Sequence, residues 1–207
     1  MWSATRMRMT SGPVLASLFI STTVAAQHAG LSYAIGAGLT APTGDFHADS
    51  LGAGYKTGWQ GEASVNFRLS KTSLGIRVEG SYSANSANDQ LKVFLRGNPG
   101  QPDDSKTKML GGNVDLNYEF RSSSPMTAYV LAGIGLYNFK ISLMYPGNRT
   151  SDTSTTKFAF NGGAGLSYRI RGAGLFLETR YFDISSPFGG SDIKYVPITA
   201  GVRFGSQ

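Results

Sequence analysis

Cysteine is absent from the 207 residues. That excludes a disulfide scaffold, a cysteine-ligated zinc site and lipid attachment through a mature N-terminal cysteine. Histidine is nearly absent, His28 and His47 being the only two, which leaves little material for imidazole chemistry. Charged residues make up only 15%, and the formal excess of +6 is scattered along the chain. No run of Lys and Arg forms a nucleic-acid footprint, so nucleic acid is not expected as a partner. No stretch reaches the ~18 consecutive apolar residues of a membrane-spanning helix. Metal-ligand clusters and phosphate loops are also missing from the sequence. Gly133-Ile134-Gly135 lies inside a strand, without the helix that a dinucleotide site requires. No cofactor, metal or catalytic residue is therefore assigned.

The N-terminus reads as a secretory signal over residues 1–26. Arg6 and Arg8 form its basic start, Pro13 to Ile20 a short apolar core, and Val24-Ala25-Ala26 a small-residue cleavage site. Residues 27–207 then form one domain.

What is abundant is glycine, at 27 residues, aromatics, at 12%, and strict alternation. The clearest case runs from Trp59 to Tyr82. Trp59, Gly61, Ala63, Val65, Phe67 and Leu69 interleave with Gln60, Glu62, Ser64, Asn66 and Arg68. After a short break, Leu74, Ile76, Val78, Gly80 and Tyr82 interleave with Gly75, Arg77, Glu79 and Ser81. A period of two sends successive side chains to opposite faces, so this is a β-hairpin with one apolar and one polar face.

The pattern recurs through eight strands. The first holds Leu31 to Thr40 and breaks at Pro42-Thr43-Gly44-Asp45-Phe46. The fourth carries Leu110, Val114, Leu116 and Tyr118 against Asn113, Asp115, Asn117 and Glu119. In the fifth, both the Tyr129, Leu131, Tyr137, Phe139 set and the Val130, Ala132, Ile134, Leu136 set are apolar, and its facing stays open. Strands six to eight run through Phe158–Ile170, Leu175–Tyr181 and Lys194–Phe204. Connections alternate long and short. The longest, Ser83 to Lys106, has an apolar centre at Leu91 to Arg96 that is expected to extend the neighbouring strands outward. Long loops at one rim and short turns at the other are the pattern of bacterial outer-membrane barrels.

Alternation alone also fits a secreted or periplasmic ligand-binding calyx with its apolar set inward. Strands of about ten residues match a tilted bilayer crossing, and aromatics crowd the strand ends. The polar set carries Glu62, Glu79, Asp115, Glu119 and Glu178 against Arg68, Arg77, Arg169, Arg180 and Arg203. Equal signs, with Arg as the only base, suit an enclosed interior whose charges pair. Glu62 and Arg68 sit on the strand facing Arg77 and Glu79, so pairing within that hairpin is expected. The expectation is all-β: an eight-stranded antiparallel up-and-down transmembrane β-barrel after a cleaved signal peptide.

On Pro42-Thr43-Gly44-Asp45-Phe46, Gly54-Tyr55-Lys56-Thr57-Gly58-Trp59 and Ala200-Gly201-Val202-Arg203-Phe204, the chain resembles the small outer-membrane β-barrel domain proteins, the OmpA/OmpX-like eight-stranded group. The resemblance covers about Gly30 to Phe204. It implies a bacterial outer-membrane location, outer-membrane lipid around the wall and a monomer. It also implies recognition of the terminal strand, ending at Phe204, by the barrel-assembly machinery, with no peptidoglycan-binding domain following.

An interior with room for side chains alone disfavours a diffusion pore. The expected role is structural or surface-interacting, without catalysis. The long loops would meet a surface ligand, with Val93, Phe94 and Leu95 as the candidate contact. A lipid-modifying enzyme would need a nucleophile, a base and an orienting acid. Only His47, near Asp45 and Ser50, offers even part of that set.

Overall fold

A computed structural model describes residues 30–48, 53–69, 72–97, 100–120, 124–185 and 192–205. The expected signal segment, His28 and Ser50 lie outside the described residues. The chain runs through β1 (Leu31–Thr43), β2 (Gly58–Arg68), β3 (Leu74–Ser86), helix α1 (Asp89–Arg96), β4 (Asp104–Phe120), β5 (Met126–Tyr145), β6 (Arg149–Ile170), β7 (Ala173–Ile184) and β8 (Ile193–Gly205). A single 3-10 turn, Gly44–Phe46, follows β1. Each strand pairs antiparallel with the next, and β1 closes onto β8 through Tyr33↔Phe204 and Leu39↔Ile198. The result is a closed eight-stranded up-and-down barrel.

Period-two patterning becomes two surfaces. Even-numbered residues of β4 point outward, with Leu110 61%, Val114 51% and Leu116 55% exposed, while Asn113 and Asp115 between them are buried. Ile35, Leu39, Ile76, Val78, Leu136, Phe160, Leu166, Leu177 and Ile198 continue this outward apolar belt. A calyx would bury these side chains, and here the buried set is the polar one. From Leu110 to Phe120 the belt on β4 spans ten residue steps. At ~3.3 Å per residue and a tilt near 45°, that gives a height of about 23 Å, close to the ~25 Å apolar band of an outer-membrane barrel. The facing of β5 is settled too. Tyr129, Leu131, Tyr137 and Phe139 are buried inside, while Val130, Ile134 and Leu136 face out.

Three connections differ from expectation. β1 continues through Pro42 to Thr43. Its pairing with β2 stops at Thr40, so Pro42 lies where only β8 still borders the strand. The apolar centre of the longest connection is helix α1 and does not extend β3 or β4. Asn88 caps it, its side-chain oxygen accepting from the Leu91 amide at 2.8 Å. The expected loop from Ser142 to Thr156 is mostly strand. β5 and β6 stay paired up to Tyr145↔Arg149, with Gly147 and Asn148 at positive φ in the turn. Because β6 meets β7 only from Ala159 onward, the hairpin, whose β5 stays paired with β4 as far as Asp104↔Met144, projects with one free edge along β6.

The belt predicts its own mutational signature. Val78 pairs with Val114 near mid-height, and Val78→Arg should lower the folding stability in liposomes by ~2–4 kcal/mol. Thr156→Arg, on the exposed arm, should change it little. Urea titration, read from the gel mobility of unboiled samples, checks the contrast. Equal losses at the two positions would mean that the apolar belt does not meet lipid.

Candidate functional site: a filled interior and an ordered outer rim

The interior is layered. Arg180 on β7 is its hub: its guanidinium bonds Glu79 of β3, Asp115 of β4 at 3.1 Å, and Glu178 two residues away on its own strand. Arg77 of β3 donates across the lumen to Glu178 at 2.7 Å. Neutral donors supply the rest. The Tyr129 hydroxyl bonds Glu178 at 2.7 Å, Asn113 and Asn161 bond Asp115 at 2.6 and 2.9 Å, and Gln60 bonds Glu62 at 3.2 Å. Carboxyl oxygens of Glu62, Glu79 and Glu178 lie within 4.8 Å of one another. Two of these three residues are already engaged by Arg77 and Arg180, so the trio reads as part of an ionic network.

Glu62, Arg77, Glu79, Asp115, Glu178, Arg180 and Arg203 are all buried in the interior. Arg68 and Glu119 pair at the short-turn mouth, and Arg203 reaches the same Glu119 at 3.1 Å while lying over the Tyr129 ring. Arg169 departs from expectation. It has the inward parity but sits at the end of β6, opposite Gly174, where the wall stops, and it is exposed. Pairing within the β2–β3 hairpin is also corrected. The register sets Glu62 opposite Ser81 and Arg68 opposite Gly75, and the partners of Arg77 and Glu79 come chiefly from β7. The central layer thus holds four carboxylates, Glu62, Glu79, Asp115 and Glu178, against two guanidiniums, Arg77 and Arg180. The signs are not balanced, and amide and hydroxyl donors add hydrogen bonds to Glu62, Asp115 and Glu178.

Towards the long-loop rim the lumen turns apolar. Phe46, Met109, Tyr137, Phe139, Phe182, Ile184, Ile193 and Tyr195 pack together, with Phe182 stacked on Tyr195 at 5.0 Å. Phe46 arrives from the connection after β1. It meets Tyr55 at 5.1 Å and Phe139 edge-on at 6.0 Å. Space for the rings comes from glycine on the neighbouring strand. Tyr137 lies against Gly111 and Tyr129 against Gly165, and a methyl group at either glycine would overlap the ring. Val93 and Phe94 stand 71% and 66% exposed on α1, while Leu95 is half-buried. The helix is tied down by Lys56–Asp89 at 3.0 Å and Lys92–Asp104 at 3.6 Å. The hydrogen bond from Lys56 holds the Asp89 carboxyl below its usual range. His47 is exposed just after the 3-10 turn, and Asp45 is exposed as well.

Removing the hub has a predictable cost. Arg180→Met removes a guanidinium from three buried carboxylates, leaving Asp115 with no ion-pair partner, and should destabilise the barrel by ~3–5 kcal/mol. Arg68→Met, at a partly exposed mouth pair, should cost about 0–1 kcal/mol. Denaturant titration in detergent or liposomes measures both. Similar costs for the two variants would show that the central layer is not dry.

Known proteins share this geometry. A search of curated proteins finds no sequence match. Neisserial surface protein A (NspA) superposes with a TM-score of 0.60 at 21% identity, over 85% of this chain and 97% of its own. A major outer membrane protein from Thermus thermophilus gives 0.58 at 12% identity, over 86% and 99%. OprG from Pseudomonas aeruginosa gives 0.50 at 16%, over 85% and 93%. At these identities the likeness concerns the fold. The family of the outer membrane protein beta-barrel domain matches residues 13–204, and the chain belongs to that family, as a bacterial outer-membrane barrel.

Proposed function

We propose that the barrel is a non-catalytic surface protein whose wall is scaffold and whose outer rim engages a partner. The observation that carries this reading is α1. A capped, salt-bridged helix holds Val93 and Phe94 in water beyond the membrane belt. Exposed aromatic and aliphatic side chains on an ordered element are contact material, and loops on a rigid scaffold are where binding residues concentrate. Arg96, exposed, follows the pair on the same helix, whereas Lys92 is held by Asp104. The fitting partner is therefore a protein presenting an apolar pocket edged by carboxylates. Ion pairing and aromatic packing fill the lumen, which favours contact over transport. Exposure of His47 and Asp45 favours a solvated turn over a catalytic centre.

The test uses cells displaying the full chain, offered a panel of immobilised extracellular proteins. Val93→Ser combined with Phe94→Ser should weaken any binding by about tenfold or more at unchanged surface level. His47→Ala should leave it unchanged. Binding that survives the double change refutes α1 as the contact. An activity on lipid that His47→Ala abolishes would make the protein an enzyme.

A further inference from the structure

We propose that the outer face of β4 and β5, at the upper edge of the apolar belt, binds a phosphate of an outer-leaflet glycolipid through Lys108 and Lys140. The register sets Lys108 directly opposite Lys140. Both share the outward parity of Leu110, Val114, Ile134 and Leu136, so both ammonium groups face the surroundings of the barrel. The next pair towards the membrane is Leu110↔Asn138 and the one after it Gly112↔Leu136. The two lysines therefore stand where acyl chains give way to headgroups.

Like charges directly opposite each other destabilise an antiparallel pair. Lys106, also exposed, adds a third ammonium one step higher on the same face. The face has one carboxylate to answer them, Asp152 of β6, which bonds Lys140 at 2.7 Å. Asp104 higher on β4 is already paired with Lys92 of α1. On the opposite side of the barrel the charges of the described residues balance, Lys194 of β8 facing Asp183 of β7 at 3.7 Å. The basic excess thus belongs to one side of the barrel.

A phosphate monoester matches this arrangement. Each ammonium offers up to three N–H donors, and the dianion lifts the repulsion between the two. Asn138 donates to Thr156 at 3.1 Å, and Ser154 lies exposed nearby on the same face, a polar surface suited to sugar hydroxyls. Directly beneath, Phe158 and Phe160 pack edge-on at 5.2 Å with their rings outward, giving the acyl chains a flat apolar support.

Native mass spectrometry of the full folded chain in detergent, titrated with diphosphorylated lipid A, tests the proposal. Wild type should retain the lipid, and Lys108→Gln with Lys140→Gln should weaken retention by about tenfold or more. Lys108→Arg with Lys140→Arg should preserve it, and Lys194→Gln should leave it unchanged. Lipid A stripped of its phosphates should bind wild type as weakly as the glutamine variant binds the intact lipid. Heat-dependent gel mobility verifies that each variant is folded, and the arginine variant keeps the test valid if the glutamine variant is not. Equal retention by wild type and the glutamine variant overturns the proposal. So does displacement of the lipid by an equimolar amount of inorganic phosphate, which would make the lysines a site for the free anion.

Discussion

An eight-stranded wall encloses a space only as wide as its own side chains, and everything inside this barrel answers to that limit. Arg180 shows how. It occupies the centre of the lumen and bonds carboxylates from β3, β4 and β7 at once. Arg77 to Glu178 and Arg180 to Glu79 each join residues 101 apart in sequence. Such contacts exist only when the two ends of the sheet have come round to meet. An unpaired guanidinium at membrane depth is costly. The network therefore ties the stability of the interior to closure of the wall, which the β1–β8 ladder completes.

The lumen changes character along its axis. Ionic at mid-height, it becomes aromatic towards the outer rim, where Phe46 and Tyr55 fold in from the β1–β2 connection. Burial of rings needs room that a narrow barrel does not have. Glycine on the adjoining strand provides it, at Gly111 beneath Tyr137 and Gly165 beneath Tyr129. The high glycine count is thus partly a volume requirement, since each ring uses the space that a neighbour's missing side chain leaves. The aromatic layer also excludes water from the outer end of the lumen, which strengthens the charge-assisted hydrogen bonds beneath it.

Strand number, facing and antiparallel order are legible because a period of two is a local property. Val78 and Arg77 announce opposite faces without knowledge of the fold. Charge partners are not legible. Glu62 and Arg68 lie on the strand next to Arg77, yet the true partner of Arg77 is Glu178 on β7, and only barrel closure determines that. Arg169 has the right parity and the wrong height, because alternation says nothing of where the wall ends. Both faces of β5 are apolar because one meets lipid and the other the aromatic layer. The apolar run in the longest connection reads as strand although it spells a helix. Asn88 followed by Asp89 is a helix-start signal, and spacing Leu91 and Leu95 four apart puts both half-buried residues on one side. Phe46 reads as part of a loop motif, and nothing local marks an aromatic that will turn back into a lumen.

The β5–β6 arm carries a mechanical consequence. In the closed wall every strand is braced on both sides. Above Phe158, whose carbonyl accepts from the Ser185 amide at 3.1 Å, β6 is paired with β5 alone among the described residues. β5, in contrast, stays paired with β4 as far as Asp104↔Met144, so the projection is an open three-stranded sheet, which resists twisting less than a closed tube. The arm is therefore braced by β4 on one side and open along β6 on the other, with Pro146-Gly147-Asn148 at its tip. Its unbraced side displays Ser151, Asp152, Thr153, Ser154, Thr155 and Lys157, whose polarity and charges discourage a passing strand from adding to the sheet. On a crowded membrane this lets a long projection with one open edge stand among neighbouring copies without becoming the seed of a shared sheet.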